Sequence, residues 1–288
     1  MRIVTRFAPS PTGRLHLGHA YSALLAHDFA RRGGGAFLLR IEDIDPGRAR
    51  PEHVDGIVED LAWLGVAWDG EIVFQSQRLQ FYAAALERLK AAGLVYPCFC
   101  TRSTIAAEIA ASATAPHGPE GPVYPGTCCR LPEEERARRQ AVEPHAWRLD
   151  MAGASDAAGP LSWEEGGREV RAEPGLFGDV VLARKDAPTS YHLAVTIDDA
   201  AQEVTEVVRG ADLRSATHVH RLLQALLGLP TPRYRHHGLL LGPDGRRLAK
   251  RNGSPTLAEL RASGANPKAL AADLLAGRLP AGYSASDA

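Results

Sequence analysis

Two histidines spaced three residues apart, His16 and His19, flank a glycine where an apolar run of strand length gives way to a helical pattern. A strand-to-helix junction attracts anions, because unpaired backbone N–H groups and the positive end of the helix dipole point at the ligand. Imidazoles there can donate hydrogen bonds to phosphate oxygens as charge builds up at an α-phosphorus, and Gly18 lets an adenine or ribose approach the backbone. Taken alone, the pair also fits a helix cap beside a surface residue.

A basic segment near the other end of the chain offers further phosphate chemistry. Lys250 stands within Arg247 to Arg251, after a short apolar run and a turn rich in glycine and proline. A lysine on such a loop can close over a triphosphate and follow the charge that migrates to departing pyrophosphate. The alternative is an ordinary basic surface loop.

The cysteines of the chain crowd into one segment: Cys98, Cys100, Cys128 and Cys129. This clustering favours a metal site over a disulfide framework. Three thiolates with the phenol of Tyr124 would complete a tetrahedral zinc site. On composition alone, His117 and Cys129 compete with Tyr124 as the fourth ligand.

The elements that must position these groups begin with a strand, a helix and a strand: Ile3 to Ala8, about Gly18 to Arg32, and Ala36 to Ile41. This order is typical of a parallel α/β unit. Helical spacing follows in residues 51–64 and 79–89, and we expect both helices to lie on the sheet.

From Cys98 onward the pattern degrades into Ala, Pro, Gly and Ser, which indicates an insertion. Sheet-like runs return at Tyr191 to Val195 and at Val204 to Val208. The tail from Thr256 to Leu274 reads as helical, and we expect the last dozen residues to be frayed.

Composition bounds the class of protein. Apolar residues make up 45% and charged residues 23%, as in ordinary globular proteins. The net charge of −1 gives no global basic field, so a nucleic acid would bind through a local patch such as Arg136 to Arg139 or Arg246 to Arg251. No apolar run approaches the ~18 residues of a membrane span, and no secretory pattern opens the chain, so we expect a cytoplasmic protein without membrane contact. No apolar patch pattern stands out, so we also expect a monomer.

Three segments carry a resemblance to a known family. The string from Arg6 to His19 resembles the first signature of class I aminoacyl-tRNA synthetases in its glutamate-specific form. The run Arg40 to Asp45 resembles the R-I-E-D-T-D run of glutamyl-tRNA synthetases, with Ile44 in place of Thr. The segment Arg247 to Arg251 resembles the second signature, K-M-S-K-S, of which only the second lysine remains, as Lys250.

The resemblance implies a class I Rossmann-like parallel sheet split by an insertion. It corresponds to a first half of the catalytic domain (1–97), a zinc-containing acceptor-binding insertion (98–185), a second half (186–250) and a short helical tail (251–288).

The resemblance also implies the site residues. The glutamate-contacting positions match Arg6, Phe7, Ala8, Pro9, Ser10, Glu42, Tyr191 and Arg209. Arg6 suits the side-chain carboxylate and Glu42 the α-ammonium, since a bidentate arginine reads a carboxylate well. ATP, with Mg²⁺ held mostly by its phosphates and water, is expected at His16, Gly18, His19 and Lys250.

The arrangement of Cys98, Cys100, Tyr124 and Cys128 is similar to the C-x-C…Y-x-x-x-C pattern of the glutamyl-Q group within this family. The resemblance therefore selects Tyr124 and implies one structural zinc ion per chain. It also implies activation of L-glutamate without tRNA, followed by transfer to the queuosine base of tRNA(Asp).

Two alternatives remain from the sequence. One is a truncated glutamyl-tRNA synthetase that charges a conventional tRNA 3′ end, although only 37 residues follow the second signature. The other is a non-catalytic paralogue that binds tRNA or glutamate, which the altered second signature would suit.

Overall fold

The opening of the chain forms a parallel α/β unit in the computed structural model, which describes residues 2–111, 117–119, 121–248 and 255–287. Strand β1 (Val4–Phe7), helix α1 (Leu17–Arg32) and strand β2 (Ala36–Ile41) follow one another, and β1 pairs with β2 in parallel. Helix α2 (Pro51–Trp63) then leads to β3 (Val73–Phe74), which pairs in parallel with β2. The expected α/β class and the strand–helix–strand opening are confirmed.

Helix α3 (Leu79–Ala91) departs from the expectation that both early helices lie on this sheet. Helix α2 does pack there, with Ile57 and Leu61 fully buried in the same core as β1 and β2. The expectation is wrong for α3, whose Leu86 and Leu89 pack in a second core with other elements. Helical spacing identifies an apolar face but not the partner that covers it.

The middle of the chain contributes residues to that second core. Strands β4 (Val95–Cys98), β7 (Ala146–Leu149) and β10 (Val181–Ala183) form an antiparallel sheet in the order β10, β7, β4. The other elements of this region are α4 (Arg102–Ala111), β5 (His117–Gly118), β6 (Gly121–Pro122), α5 (Glu133–Val142), α6 (Met151–Ala158), β8 (Ser162–Glu165) and β9 (Arg168–Arg171). The division of the chain at residues 97, 185 and 250 stays a prediction.

A second parallel unit follows, and it includes one strand of the middle region. Its elements are α7 (Tyr191–Ala201), β11 (Glu206–Gly210), α8 (Ala216–Leu226) and β12 (Arg233–His237). Strands β11 and β12 are parallel, and β12 also pairs in parallel with β8 through Tyr234 and Glu165. The Thr205 N–H donates to the Val4 carbonyl at 3.0 Å, which sets β11 beside β1.

The sheet-like run predicted at Tyr191 to Val195 is wrong, because these residues begin helix α7. The Ser190 hydroxyl accepts from the Leu193 N–H and caps the helix. Leu193, Ala194 and Val195 are all buried. A helix buried on several sides shows a continuous apolar run, which periodicity cannot distinguish from a buried strand.

The last residues of the described chain are ordered, contrary to the expectation of a frayed end. After β13 (Leu240–Leu241), α9 (Leu257–Ala262) and α10 (Pro267–Leu275), strand β14 (Ser284–Ala285) pairs antiparallel with β13. Tyr283 packs against the first core. A two-residue strand of small side chains carries no hydrophobic alternation, so no sequence pattern predicts it.

None of the helices in the described part of the chain is both long enough and apolar enough to cross a membrane.

Replacing Gly238 by Ala should detach the β14 segment. A Cβ at Gly238 would lie 2.0 Å from the Ser286 carbonyl oxygen, so the tail must move. We expect Gly238→Ala to lower the free energy of unfolding by about 1–3 kcal/mol and to speed hydrogen exchange in residues 284–286. Gly175→Ala is the matched control, since its Cβ meets nothing within 4 Å. Equal stability of the two variants would contradict the ordered tail.

Candidate functional site

One cavity of about 690 Å³ gathers the residues that the sequence assigned to glutamate and ATP. It lies where the carboxyl ends of β1, β2 and β11 meet the N-terminus of α1. The predicted residues that line it are Arg6, Phe7, Ala8, Pro9, Ser10, His16, Gly18, His19, Glu42, Tyr191 and Arg209. Lys250 lies outside the described residues, so its predicted role stays a prediction.

The two histidines of the first signature cap helix α1 reciprocally. His16 Nδ1 accepts from the Gly18 N–H at 3.1 Å, and His19 Nδ1 accepts from the His16 N–H at 3.2 Å. A neutral ring that accepts at Nδ1 carries its proton at Nε2. Capping and donation to a phosphate therefore use different ring nitrogens, so the two interpretations of this motif do not compete. A Cβ on Gly18 would lie 3.0 Å from His16 Cε1, so glycine keeps the ring in place.

A buried ion-pair network holds the side of the cavity that contains Arg6 and Glu42. Arg6 Nε donates to Asp199 Oδ1 at 3.0 Å, and Arg40 Nη1 donates to the same oxygen at 2.8 Å. Arg40 is fully buried, and its Nη2 lies 3.5 Å from Glu42 Oε1. Burial acts to raise the pKa of Asp199, but Arg6 and Arg40 outweigh it and hold that pKa below its usual range. Asp199 therefore remains ionised at neutral pH and fixes Arg6.

Glu42 stands at the end of β2, where its backbone N–H donates to the Pro9 carbonyl at 3.1 Å. Burial raises the pKa of Glu42, although Arg40 and Arg6 act in the opposite direction. A carboxyl in this position suits an incoming ammonium, whose positive charge would favour the ionised form.

Arg209 lies across the cavity among neutral partners. Its Nε donates to His236 Nε2 at 3.1 Å and its Nη2 to the Thr217 hydroxyl at 2.7 Å. Its Nη1 lies 3.3 Å from the Tyr191 hydroxyl and 3.4 Å from His220 Nδ1. Among the residues the structure describes, no carboxylate oxygen lies within ion-pair distance of it. Arg209 is buried and lines the cavity, so an anionic ligand there would meet a charge that no carboxylate of the described residues neutralises.

Three histidines around Arg209 stay neutral. Burial, reinforced by the Arg209 charge, lowers the pKa of His192 and of His236 to about 4. The same causes place the pKa of His220 well below its ordinary value. His220 Nε2 and His192 Nδ1 lie 3.2 Å apart, which continues the chain of neutral rings.

The cysteine cluster forms a separate site in the middle region. The sulfur atoms of Cys98, Cys100 and Cys128 lie within 4.8 Å of one another, and the Tyr124 hydroxyl lies 3.5 Å and 3.4 Å from the first two. Ligand atoms of a tetrahedral zinc ion, with bonds of about 2.0–2.3 Å, lie roughly 3.3–3.8 Å apart. The four side chains fit that geometry.

Cys129 and His117 were the other candidates for the fourth zinc ligand. Among the described residues Cys129 does not belong to this sulfur group, and the charges nearest to it are Asp150, Asp179, Arg136 and Arg130. The side chain of His117 lies outside the described residues. Burial raises the pKa of Cys100 to about 11, so a bound metal would have to displace its proton.

The sequence did not single out several residues that shape the cavity. Arg40, Asp198 and Asp199 were missed, although a charged residue inside an apolar strand and two acids inside an apolar helix were signals. His220 and His236 were missed because nothing local marks them. Asp212 was also missed, and it pairs with Arg247 of the second signature at 2.8 Å.

Comparison with known proteins identifies the family of this chain. The family model described as "tRNA synthetases class I (E and Q), catalytic domain" matches residues 2–281. The Glutamyl-Q tRNA(Asp) synthetase of Rhodobacter capsulatus is 53% identical over 276 residues, which cover 92% of this chain and 97% of that protein. The protein of the same name from Symbiobacterium thermophilum is 47% identical, with 93% and 84% covered.

A solved structure shows the same fold. The glutamate tRNA ligase from Elizabethkingia meningosepticum, crystallised in complex with its amino acid, superposes with a TM-score of 0.73 and is 30% identical. The match covers 89% of this chain and 54% of that one, so the chain spans about half the length of the solved ligase.

Acid should destabilise the protein through the three buried histidines. Their pKa values in the folded state lie below the ordinary value near 6.5, so the unfolded chain binds more protons in acid. The free energy of unfolding should fall as pH drops from about 6.5 towards 4, by up to about 1.4 kcal/mol per pH unit for each ring. Urea unfolding between pH 7.5 and 4.5 measures this, and His220→Asn should reduce the slope. A flat profile would contradict neutral burial.

Zinc content tests the cysteine cluster. Elemental analysis of the purified protein should give about one zinc per chain. Cys100→Ser should lose most of that zinc and lower the melting temperature, because it removes one thiolate of the four ligands. Cys129→Ser is the control and should keep the metal. Loss of zinc from the control, or none in the unaltered protein, would overturn the assignment.

Proposed function

Because this chain belongs to the class I tRNA synthetases for glutamate and glutamine, which are ligases that join an amino acid to tRNA, we propose that it activates L-glutamate with ATP in the absence of tRNA. We propose further that it transfers the glutamate to the queuosine base of tRNA(Asp). The observation that carries the first part is that Arg6, Glu42 and Arg209 line the same cavity as the first-signature histidines.

The charges of the cavity support glutamate as the amino acid. Two carboxylates of the ligand require two cations, and Arg6 and Arg209 both line the cavity. Its ammonium requires an acceptor, for which Glu42 is placed at the end of β2. We infer that Arg6 reads the side-chain carboxylate, as its position in the first signature implies. Phe7, Ala8, Pro9, Ser10 and Tyr191 would enclose the ligand.

The reaction needs no general base, because the attacking carboxylate is ionised at neutral pH. An oxygen of that carboxylate bonds to the α-phosphorus of ATP, the bond from this phosphorus to the bridging oxygen breaks, and its electron pair leaves with pyrophosphate. The residues contribute alignment and charge stabilisation, His16 and His19 through Nε2 and Lys250 through its ammonium.

Two metals accompany this proposal in different ways. Mg²⁺ would enter with ATP and neutralise phosphate charge; the one group of metal-binding type found among the described residues is the cysteine cluster, not a cage in the cavity. Zinc would be held by Cys98, Cys100, Tyr124 and Cys128. Four filled positions leave no open ligand site, so its role would be to stabilise the middle region.

The relatives support the queuosine acceptor. The two proteins named Glutamyl-Q tRNA(Asp) synthetase that are described above share about half of their residues with this chain, and it covers 97% and 84% of their length. We also propose that the protein acts as a monomer in the cytoplasm, where ATP, glutamate and tRNA occur. The exposed large apolar side chains of the described residues, Phe81, Val142, Leu176 and Leu275, lie on different elements.

Glutamate-dependent exchange of pyrophosphate into ATP, without tRNA, tests the activation step. We expect exchange in the unaltered protein and a loss of roughly 100-fold in Lys250→Ala, the effect of removing one well-placed cation. Lys268→Ala, an exposed lysine on α10, is the matched control and should keep full activity. Exchange only after addition of tRNA(Glu) would favour a conventional synthetase, and silence with and without tRNA would favour a binding protein.

The acceptor is tested with radioactive glutamate and tRNA(Asp) that lacks its 3′-terminal adenosine. Transfer to this tRNA when it carries queuosine, and none when it carries guanosine at that position, would support the proposal. Transfer that requires the intact 3′ end would overturn it.

A further inference from the structure

The Arg209 guanidinium is oriented from one side by a chain of side chains that begins in the middle region. We propose that Glu165 and His236 are positioning residues for glutamate recognition, which hold Arg209 in the orientation that binds a ligand carboxylate. The proposal rests on the proposed function, because it assumes that glutamate occupies the cavity.

The donor groups of Arg209 show how the orientation is set. A guanidinium carries five N–H donors and no acceptor. The Nε–H is taken by His236, and one hydrogen of Nη2 by Thr217. These two bonds lie on adjacent nitrogens and fix the plane of the group. The second hydrogen of Nη2 has no protein acceptor among the described residues, so it is available to a carboxylate.

In the described structure no protein carboxylate neutralises the charge of Arg209, whereas Arg6 and Arg40 are both paired with one. Both of the latter share the Asp199 carboxylate. Arg209 instead has four neutral partners, in Tyr191, Thr217, His220 and His236. A neutral acceptor orients a guanidinium without cancelling its charge, so a ligand carboxylate meets the full attraction.

Glu165 fixes the tautomer of His236 in which Nε2 can accept a hydrogen bond from Arg209. Because Arg209 can only donate, His236 Nε2 must be the unprotonated nitrogen, and the ring proton must sit on Nδ1. That nitrogen lies 3.0 Å from Glu165 Oε1, which accepts the proton's hydrogen bond. Glu165 is held in turn by Arg214 at 3.0 Å and by the Trp163 indole N–H at 3.1 Å. Without this carboxylate the opposite tautomer would point an N–H at the Arg209 Nε–H.

The backbone explains how Glu165 reaches this place. It is the last residue of β8, which pairs in parallel with β12 at Tyr234, two residues before His236. Strand β8 lies within residues 98–185, the segment predicted to bind the acceptor. Glu165, a residue of that segment, therefore orients Arg209 through His236.

Steady-state exchange kinetics on the full-length protein test the proposal. We expect His236→Leu to raise the KM for glutamate about tenfold or more, the effect of losing a hydrogen bond to a charged group, while the KM for ATP changes less than about threefold. His236→Gln should restore the KM for glutamate to within about threefold, because its amide oxygen can replace Nε2 as acceptor. His218→Leu is the matched control, since His218 lies on α8 and bonds the Glu173 N–H instead.

A second pair of variants tests Glu165 and guards against misfolding of His236→Leu. Glu165→Ala should raise the KM for glutamate about fivefold or more, and the exposed neighbour Glu164→Ala should not change it. If Glu165→Ala and His236→Leu fold but keep the normal KM for glutamate, or if Gln and Leu at position 236 behave alike, the positioning role is overturned. Absence of exchange in the unaltered protein would instead refute the proposed function, so the two failures are distinguishable.

Discussion

The ion pair between Arg40 and Asp199 is the contact on which the Arg6 side of the cavity depends. Arg40 is fully buried and Asp199 lies 159 positions later in the sequence, so this ion pair forms only when the two parallel units close together. Asp198 extends the network by accepting from Gln75, Arg78 and Tyr82. A buried charge left without its partner is strongly destabilising, so this network both joins the units and places Arg6 and Glu42 at their common edge.

Two kinds of buried polar network therefore meet at one cavity. Around Arg6 and Arg40 the charges are compensated by carboxylates, which gives a rigid wall. Around Arg209 the partners are neutral rings and hydroxyls, which leaves a positive charge facing the ligand. Under the proposed function this difference in chemistry matches a difference in task, since one network holds the fold together and the other keeps binding energy for a substrate.

The sequence predicted the cavity residues better than the elements that carry them. His16, Glu42 and Arg209 were found because motifs in a fixed order define them, whereas Tyr191 was placed on a strand although it begins a helix. The tail was missed because two small residues form its strand. The support of Arg209 could not be predicted, because Glu165 and His236 lie 71 positions apart and meet only through the pairing of β8 with β12. Long-range pairing of this kind leaves no local pattern to detect.

The separation of Arg40 from Asp199 also has a consequence for biosynthesis. At about 5–20 residues per second, the ribosome needs roughly 10–30 seconds between adding Arg40 and adding Asp199. During that interval Glu42 is the only one of the three carboxylates around Arg40 in the described structure that has been synthesised, because Asp198 and Asp199 are still to be added. The first signature is thus synthesised early, but the Asp199 contacts that hold Arg6 and Arg40 in the finished ligase form only late.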